Sequence, residues 1–162
     1  MELCLEVLKQ ETDERARSTV RGRAWPCRRG CDICCRRLAT PPQLTEPEWR
    51  ELRAGIELLP APVRDSIDQR IEKMPGSGPI VCPMLDREEG ACLVYDHRPL
   101  ACRTYGFYRE RDRGQYCGEI EGRVDRGDYE DVVWGNADGF EARQRQLGEM
   151  SDLRTWWMKD GI

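Results

Sequence analysis

The sequence lacks most of the features that would announce a familiar chemistry. It has one histidine, His97, so no Ser–His–Asp set can be built away from that residue and no imidazole-rich metal site is available. It carries no phosphate-binding loop and no dinucleotide fingerprint. No stretch approaches the roughly 20 apolar residues that a membrane span requires. The first ten residues are mixed in charge and do not read as a secretory signal, so a cytoplasmic location is expected. Internal repeats and low-complexity tracts are missing as well. The 26 Lys and Arg against 30 Asp and Glu give a net charge of −4, without the basic excess of a nucleic-acid binder. Only 39% of the 162 residues are hydrophobic, whereas 35% are charged. One domain of this length with so modest a core is expected to be held by something besides apolar burial.

What the chain has in abundance is cysteine: Cys4, Cys27, Cys31, Cys34, Cys35, Cys82, Cys92, Cys102 and Cys117. In a reducing compartment such clusters serve as metal ligands or redox groups rather than staples. A secreted chain with its leader removed would start in the same way, and a disulfide framework is the competing reading. The odd number would then leave one thiol over.

The elements follow from periodicity and punctuation. Residues 1 to about 20 read as a helix through Leu3, Leu5, Val7 and Leu8. Thr45 and Glu48 form a capping box, with Pro47 near the first turn of a helix carrying Trp49, Leu52, Ile56 and Leu59. A second helix runs from about Pro62 to Met74. After Pro75–Pro79, the segments 80–85 and 91–95 read as two strands of a β-hairpin turning at Glu88-Glu89-Gly90. A short helix after Pro99 carries Cys102. The polar stretch Gly114 to Gly127 reads as loop. Helices are expected over Asn136–Met150 and after Ser151, which would cap the last one. The expected fold is mainly α with a short β-hairpin. It is a small single domain over 1–162, organised around a cysteine-ligated metal centre. Its metal-binding core spans about 21–118 and a C-terminal helical lid about 128–160.

Cys27, Cys31, Cys34 and Cys35 form C-x3-C-x2-C-C. On a helix they would fall within roughly a 100° arc. Even without one, the C-x2-C spacing lets two thiolates reach one metal. Adjacent Cys34 and Cys35 diverge, so one of them suits a second metal, a cluster edge or packing. Cys82, Cys92 and Cys102 follow at intervals of ten, the first two expected near opposite strands of the hairpin. Cys117, in a Tyr-Cys-Gly context, is the eighth candidate. Cys4 reads as packing within an apolar segment. His97, between Asp96 and Arg98, reads as a surface residue or a neighbour of the ligands.

The first block is followed by Cys82-Pro83-Met84-Leu85, Gly90-Ala91-Cys92-Leu93-Val94-Tyr95 and Arg98-Pro99-Leu100-Ala101-Cys102-Arg103-Thr104-Tyr105. This joint pattern, over about residues 27 to 107, resembles the zinc- or iron-chelating cysteine-cluster family described by the motif CxxCxxCC. The resemblance implies metal chelation without supplying a reaction. One departure is that three residues, not two, separate Cys27 from Cys31.

The expected metal ligands are therefore Cys27, Cys31, Cys34, Cys35, Cys82, Cys92, Cys102 and Cys117. All-thiolate supply suits zinc and iron–sulfur clusters alike. The surplus of thiols and the lack of paired knuckles favour a 4Fe–4S cluster with a redox or catalytic role. The alternative is a structural zinc module serving protein interaction. Arg21, Arg23, Arg28, Arg29, Arg36 and Arg37 crowd the first block. Cations there would stabilise the net charge of about −2 left by four thiolates on either centre. They would also suit a protein or anionic small-molecule partner. Arg98 and Arg103 flank the third ligand. Tyr95, Tyr105 and Phe107 are expected to shield the site, and Trp156 and Trp157 to pack the lid.

Overall fold

Secondary structure in this chain is short and closely punctuated. The computed structural model describes residues 3–160. In chain order it comprises α1 (Leu5–Val20), β1 (Gln43–Thr45), α2 (Glu46–Glu57), α3 (Ala61–Glu72), β2 (Leu85–Asp86), β3 (Ala91–Cys92), α4 (Leu100–Thr104), β4 (Tyr108–Glu110), β5 (Arg113–Gln115), α5 (Gly118–Asp125), β6 (Gly135–Asn136), α6 (Ala137–Gln144), β7 (Met150–Asp152) and α7 (Leu153–Asp160). Three short 3-10 turns cover Cys34–Arg36, Tyr95–His97 and Arg145–Leu147. About half of the chain is helical, as the periodicity predicts. Met1 and Glu2, counted into the first predicted helix, lie outside the described residues. So do Gly161 and Ile162, at the end of the predicted domain. No described helix is long and apolar enough to cross a membrane.

The chain forms two compact units. Unit 1 contains the residues up to Arg28 together with Leu100–Gly148. Its core gathers Leu8, Trp25, Leu100, Phe107, Tyr108, Ile120, Tyr129, Val132, Ala137 and Phe140. Helix α1 lies against α4. The sheet runs β5-β4-β6, with β4 antiparallel to β5 and parallel to β6. Gly135 on β6 faces the Tyr108 ring so closely that a Cβ there would come within 2.4 Å of it. Trp25 packs on Tyr129 at 4.5 Å and on Phe107 at 5.8 Å between ring centroids. These aromatic pairs bury large areas in a unit with few aliphatic residues.

Unit 2 contains Arg29–Pro99 and the residues from Glu149 onward. Its core holds Leu44, Trp49, Leu52, Ile56, Ile67, Ile71, Ile80, Leu153, Trp156 and Trp157. The Thr45 backbone N–H donates to the Glu48 carboxylate at 2.8 Å and the Thr45 hydroxyl donates to it at 2.7 Å. This is the predicted capping box, and it sets the start of α2. β1 pairs antiparallel with β7, Leu44 opposite Ser151. Helix α7 is fixed by indole hydrogen bonds: Trp156 Nε1 to the Leu44 carbonyl at 3.0 Å and Trp157 Nε1 to Asp68 at 2.6 Å. The two tryptophans are thus core residues. Trp49 Nε1 also donates, to Asp160 of α7, at 2.5 Å.

Several expectations need correction. The fold class anticipated one β-hairpin; β2–β3 forms it, but β1–β7 and the three-stranded sheet are added. The region read as loop contains β5 and α5. Helix α5 is polar with Gly122 inside it, and Ile120 is its one buried residue, so no apolar stripe marks it. Asp152, not Ser151, caps α7: its carboxylate accepts the Thr155 N–H at 2.9 Å, while Ser151 sits inside β7. The helix expected over 136–150 ends at Gln144, continues as a 3-10 turn and stops at Gly148, where φ is +146°.

His97 illustrates how tightly unit 2 is packed. Its ring lies over Gly55 of α2, where an added Cβ would fall 2.6 Å from the imidazole. Alanine raises helix propensity by about 1 kcal/mol over glycine, yet overpacking costs about 1–3 kcal/mol. Gly55→Ala is therefore expected to destabilise the protein in urea unfolding despite the better helix former. The additional change His97→Ala should recover most of that loss.

Candidate metal centre

Unit 2 brings four thiols together from two chain segments. The first segment has no α-helix. Gly30 adopts φ +89°, a backbone conformation that breaks the predicted helical arc, and only the 3-10 turn Cys34–Arg36 remains. Arg36 braces this turn. Its Nε pairs with Asp32 at 2.5 Å and its Nη2 donates to the Arg87 carbonyl at 3.2 Å.

The second segment is laid beside it by backbone pairing. Leu38 and Ile80 exchange hydrogen bonds at 2.9 and 2.8 Å, and the Cys82 N–H donates to the Cys35 carbonyl at 2.7 Å. The Leu85 N–H donates to the Cys82 carbonyl at 3.1 Å, closing a turn into β2. Leu85 then stands opposite Cys92 in the hairpin. The peptide ladder thus sets Cys82 beside Cys35, and the hairpin returns Cys92 to the same region.

The electrostatics report their closeness. Side-chain hydrogen bonding to Cys35, then burial and the charge of Cys35, push the Cys34 thiol far above its ordinary range. For Cys35, the bond from Cys34 acts downward. The bond to Cys82, burial and the charges of Cys82 and Cys92 outweigh it and raise the group to about 12. Burial raises Cys92 most; a backbone hydrogen bond from Val94 and then the charges of Arg98 and Arg29 work against it. Both guanidiniums lie over the Tyr95 ring, at 4.1 Å for Arg29 and 3.5 Å for Arg98. Arg29 also pairs with Asp96 at 2.7 Å. Tyr95 therefore organises two cations near Cys92, a role the sequence assigned only to shielding.

Cys31 belongs to unit 2, half-buried. Cys27, Cys102 and Cys117 belong to unit 1. The Cys27 thiol donates to the Tyr105 carbonyl at 3.6 Å and abuts Gly106, where a Cβ would stand 3.0 Å from its sulfur. Cys102 sits on α4, and Cys117 precedes α5 as its N-terminal flanking residue. Tyr105 and Phe107 also belong to unit 1, where Phe107 is buried against Trp25. Cys4, expected to pack, is exposed instead. All nine cysteines are free thiols.

Cys34, Cys35, Cys82 and Cys92 form a soft, all-sulfur donor set, which suits zinc or iron and not calcium or magnesium. Among the described residues, however, no three Cys, His, Asp or Glu side chains stand in an arrangement that could hold an ion. The four thiols thus stand as neighbouring candidate donors, and the described residues show no formed coordination shell. Side-chain hydrogen bonds join Cys34 to Cys35 and Cys35 to Cys82, and burial favours the protonated form of Cys34, Cys35 and Cys92, so ligation would require protons to be lost and the side chains to turn toward a common point.

The family model described as a zinc- or iron-chelating domain, CxxCxxCC, matches residues 26–119. No curated protein and no solved structure gives a match.

The raised thiols fix the sign of the pH dependence. In the metal-free protein the folded state holds the Cys35 proton from the ordinary value of 9.0 up to about 12, whereas the unfolded chain releases it near 9. Stability is therefore complete below about pH 9 and declines as the pH rises toward 12. Thermal unfolding of metal-free protein at pH 8 and pH 10.5 should show this loss. Metal binding displaces the same protons, so affinity measured by chelator competition should rise between pH 6 and pH 8.

Proposed function

The chain belongs to the CxxCxxCC family of zinc- or iron-chelating domains, and on that premise we propose that it carries an iron–sulfur centre of the 4Fe–4S type with a redox or catalytic role. The observation that carries this reading is the sulfur-only neighbourhood of Cys34, Cys35, Cys82 and Cys92, with two arginines acting on Cys92. These four residues would hold the group. Cys31 is the nearest reserve in sequence, and Cys27, Cys102 and Cys117 complete the proposed ligand list. When bound, such a cluster supplies one-electron transfer.

The protein's own residues prepare the site for that role. Arg29 and Arg98, stacked on Tyr95, present positive charge toward Cys92. Positive charge there favours the thiolate and offsets the added negative charge of a reduced centre. The backbone pairing of Cys35 with Cys82 keeps two donors together whatever the ligation state. Partial burial of the four thiols limits water access and favours a reversible redox group over an exposed one.

The second reading is a structural zinc module for protein interaction. Four thiols gathered on one small unit also equal the requirement of one tetrahedral zinc. Of the arginines of the first block, Arg23, Arg29 and Arg36 are already paired with Asp131, Asp96 and Asp32. An anionic partner at that block would therefore have to engage Arg21, Arg28 or Arg37.

Anaerobic purification followed by iron, sulfide and zinc analysis separates the two readings. The iron–sulfur reading expects a brown protein with broad visible absorption that bleaches on reduction. A colourless protein holding about one or two zinc ions, unfolding with chelator, would establish the zinc module instead. A folded protein containing neither metal would contradict both.

A further inference from the structure

Unit 2 has a second chemical feature, separate from its thiols. A cavity of about 320 Å³ opens between α3 and the segment leading into the β2–β3 hairpin. One wall is made by Ser66, Gln69 and Arg70 of α3 and by Lys73 at its C-terminal end, spaced three, one and three residues apart and so on one helix face. Val81 and Arg87 also line it. No carboxylate lines the cavity.

In a chain with net charge −4, three cations around an acid-free hollow are unusual. Four other arginines of this unit have acidic partners: Arg29 pairs with Asp96, Arg36 with Asp32, Arg50 with Glu46 and Arg53 with Glu57. Among the described residues, Arg70, Lys73 and Arg87 pair with no carboxylate. Arg70 is also held in place. Its Nη1 donates to the Pro83 carbonyl at 3.2 Å and to the Leu85 carbonyl at 2.9 Å. Those acceptors are neutral, so they fix the guanidinium without cancelling its charge. Three like charges in one hollow repel one another, and a bound anion reverses that term. A fixed guanidinium offers a planar fork that fits phosphate and carboxylate oxygens. Ser66 and Gln69 add neutral hydrogen-bonding groups. The volume admits a small molecule beyond its anionic group.

We propose that this cavity binds a small dianionic ligand, one bearing a phosphate or two carboxylates. The cavity adjoins the thiol set along the chain: Val81, which lines it, directly precedes Cys82, and the two carbonyls that hold Arg70 belong to Pro83 and Leu85. The ligand's charged end would therefore lie beside the strand and turn that position Cys82. The inference needs no metal and stands apart from the identity of the proposed centre.

The test is calorimetric titration of the full-length protein, as purified, in a low-salt buffer free of both probes. Inorganic phosphate is one probe and succinate the other. At least one is expected to bind saturably at one equivalent, and the tighter of the two identifies the preferred oxyanion. Lys73→Glu combined with Arg87→Glu, both at exposed positions, should weaken that binding by at least about ten-fold. Arg50→Glu with Arg53→Glu, which reverses as many charges on α2, should leave it within about two-fold. Circular dichroism confirms that each variant is folded. If the first pair is not folded, Lys73→Ala with Arg87→Ala takes its place and should also weaken binding. The proposal is overturned if neither probe binds saturably, if the cavity variants bind as the parent does, or if the α2 pair weakens binding equally.

Discussion

Sulfur atoms packed against one another are stable only while they keep their protons or share a cation. Cys34, Cys35 and Cys92 are all pushed toward the protonated form by burial and by one another. A divalent ion or a cluster core would invert that balance, turning mutual repulsion into common attraction. Much of unit 2 is arranged around this constraint. The Leu38–Ile80 pairing, the backbone hydrogen bond from Cys82 to Cys35 and the β2–β3 hairpin supply the closeness. Arg29 and Arg98, held on Tyr95, supply the positive charge that lets Cys92 ionise more readily than its burial alone would allow.

The scaffold beneath that region is conventional. The core of α2, α3 and α7 buries three tryptophans whose indole N–H groups all find acceptors, at Leu44, Asp68 and Asp160. Such satisfied aromatics combine large apolar burial with a fixed orientation. Unit 1 is organised differently, on stacked aromatic rings and a small mixed sheet. The family match runs through residues of both units. Its first spacing, three residues between Cys27 and Cys31, contains the boundary between Arg28 and Arg29. The departure from the family's usual spacing thus falls where the chain leaves one unit for the other.

Local chemistry was readable from the residues, and long-range pairing was not. The Thr45–Glu48 cap, the periodicity of Trp49, Leu52 and Ile56, and the Gly90 turn each declare themselves within a few positions. Pairing of Gln43–Thr45 with Met150–Asp152 joins distant segments whose residues carry no mutual signal. Helix α5 escaped notice because it buries little beyond Ile120. Cysteine spacing marked eight candidate donors but could not say that Cys27 and Cys31 would enter different units, since that depends on the backbone around Gly30 rather than on thiol separation. The face formed by Ser66, Gln69, Arg70 and Lys73 has helical spacing too, but a polar stripe reads as ordinary solvated surface until a cavity is seen beside it.

The central claim is that Cys34, Cys35, Cys82 and Cys92 form the metal-binding core. Metal content of anaerobically purified variants tests it most directly. Cys35→Ser combined with Cys82→Ser should remove essentially all bound iron or zinc, whereas Cys4→Ser, at an exposed position, should retain the full amount. Undiminished metal in the Cys35→Ser, Cys82→Ser protein would contradict the account.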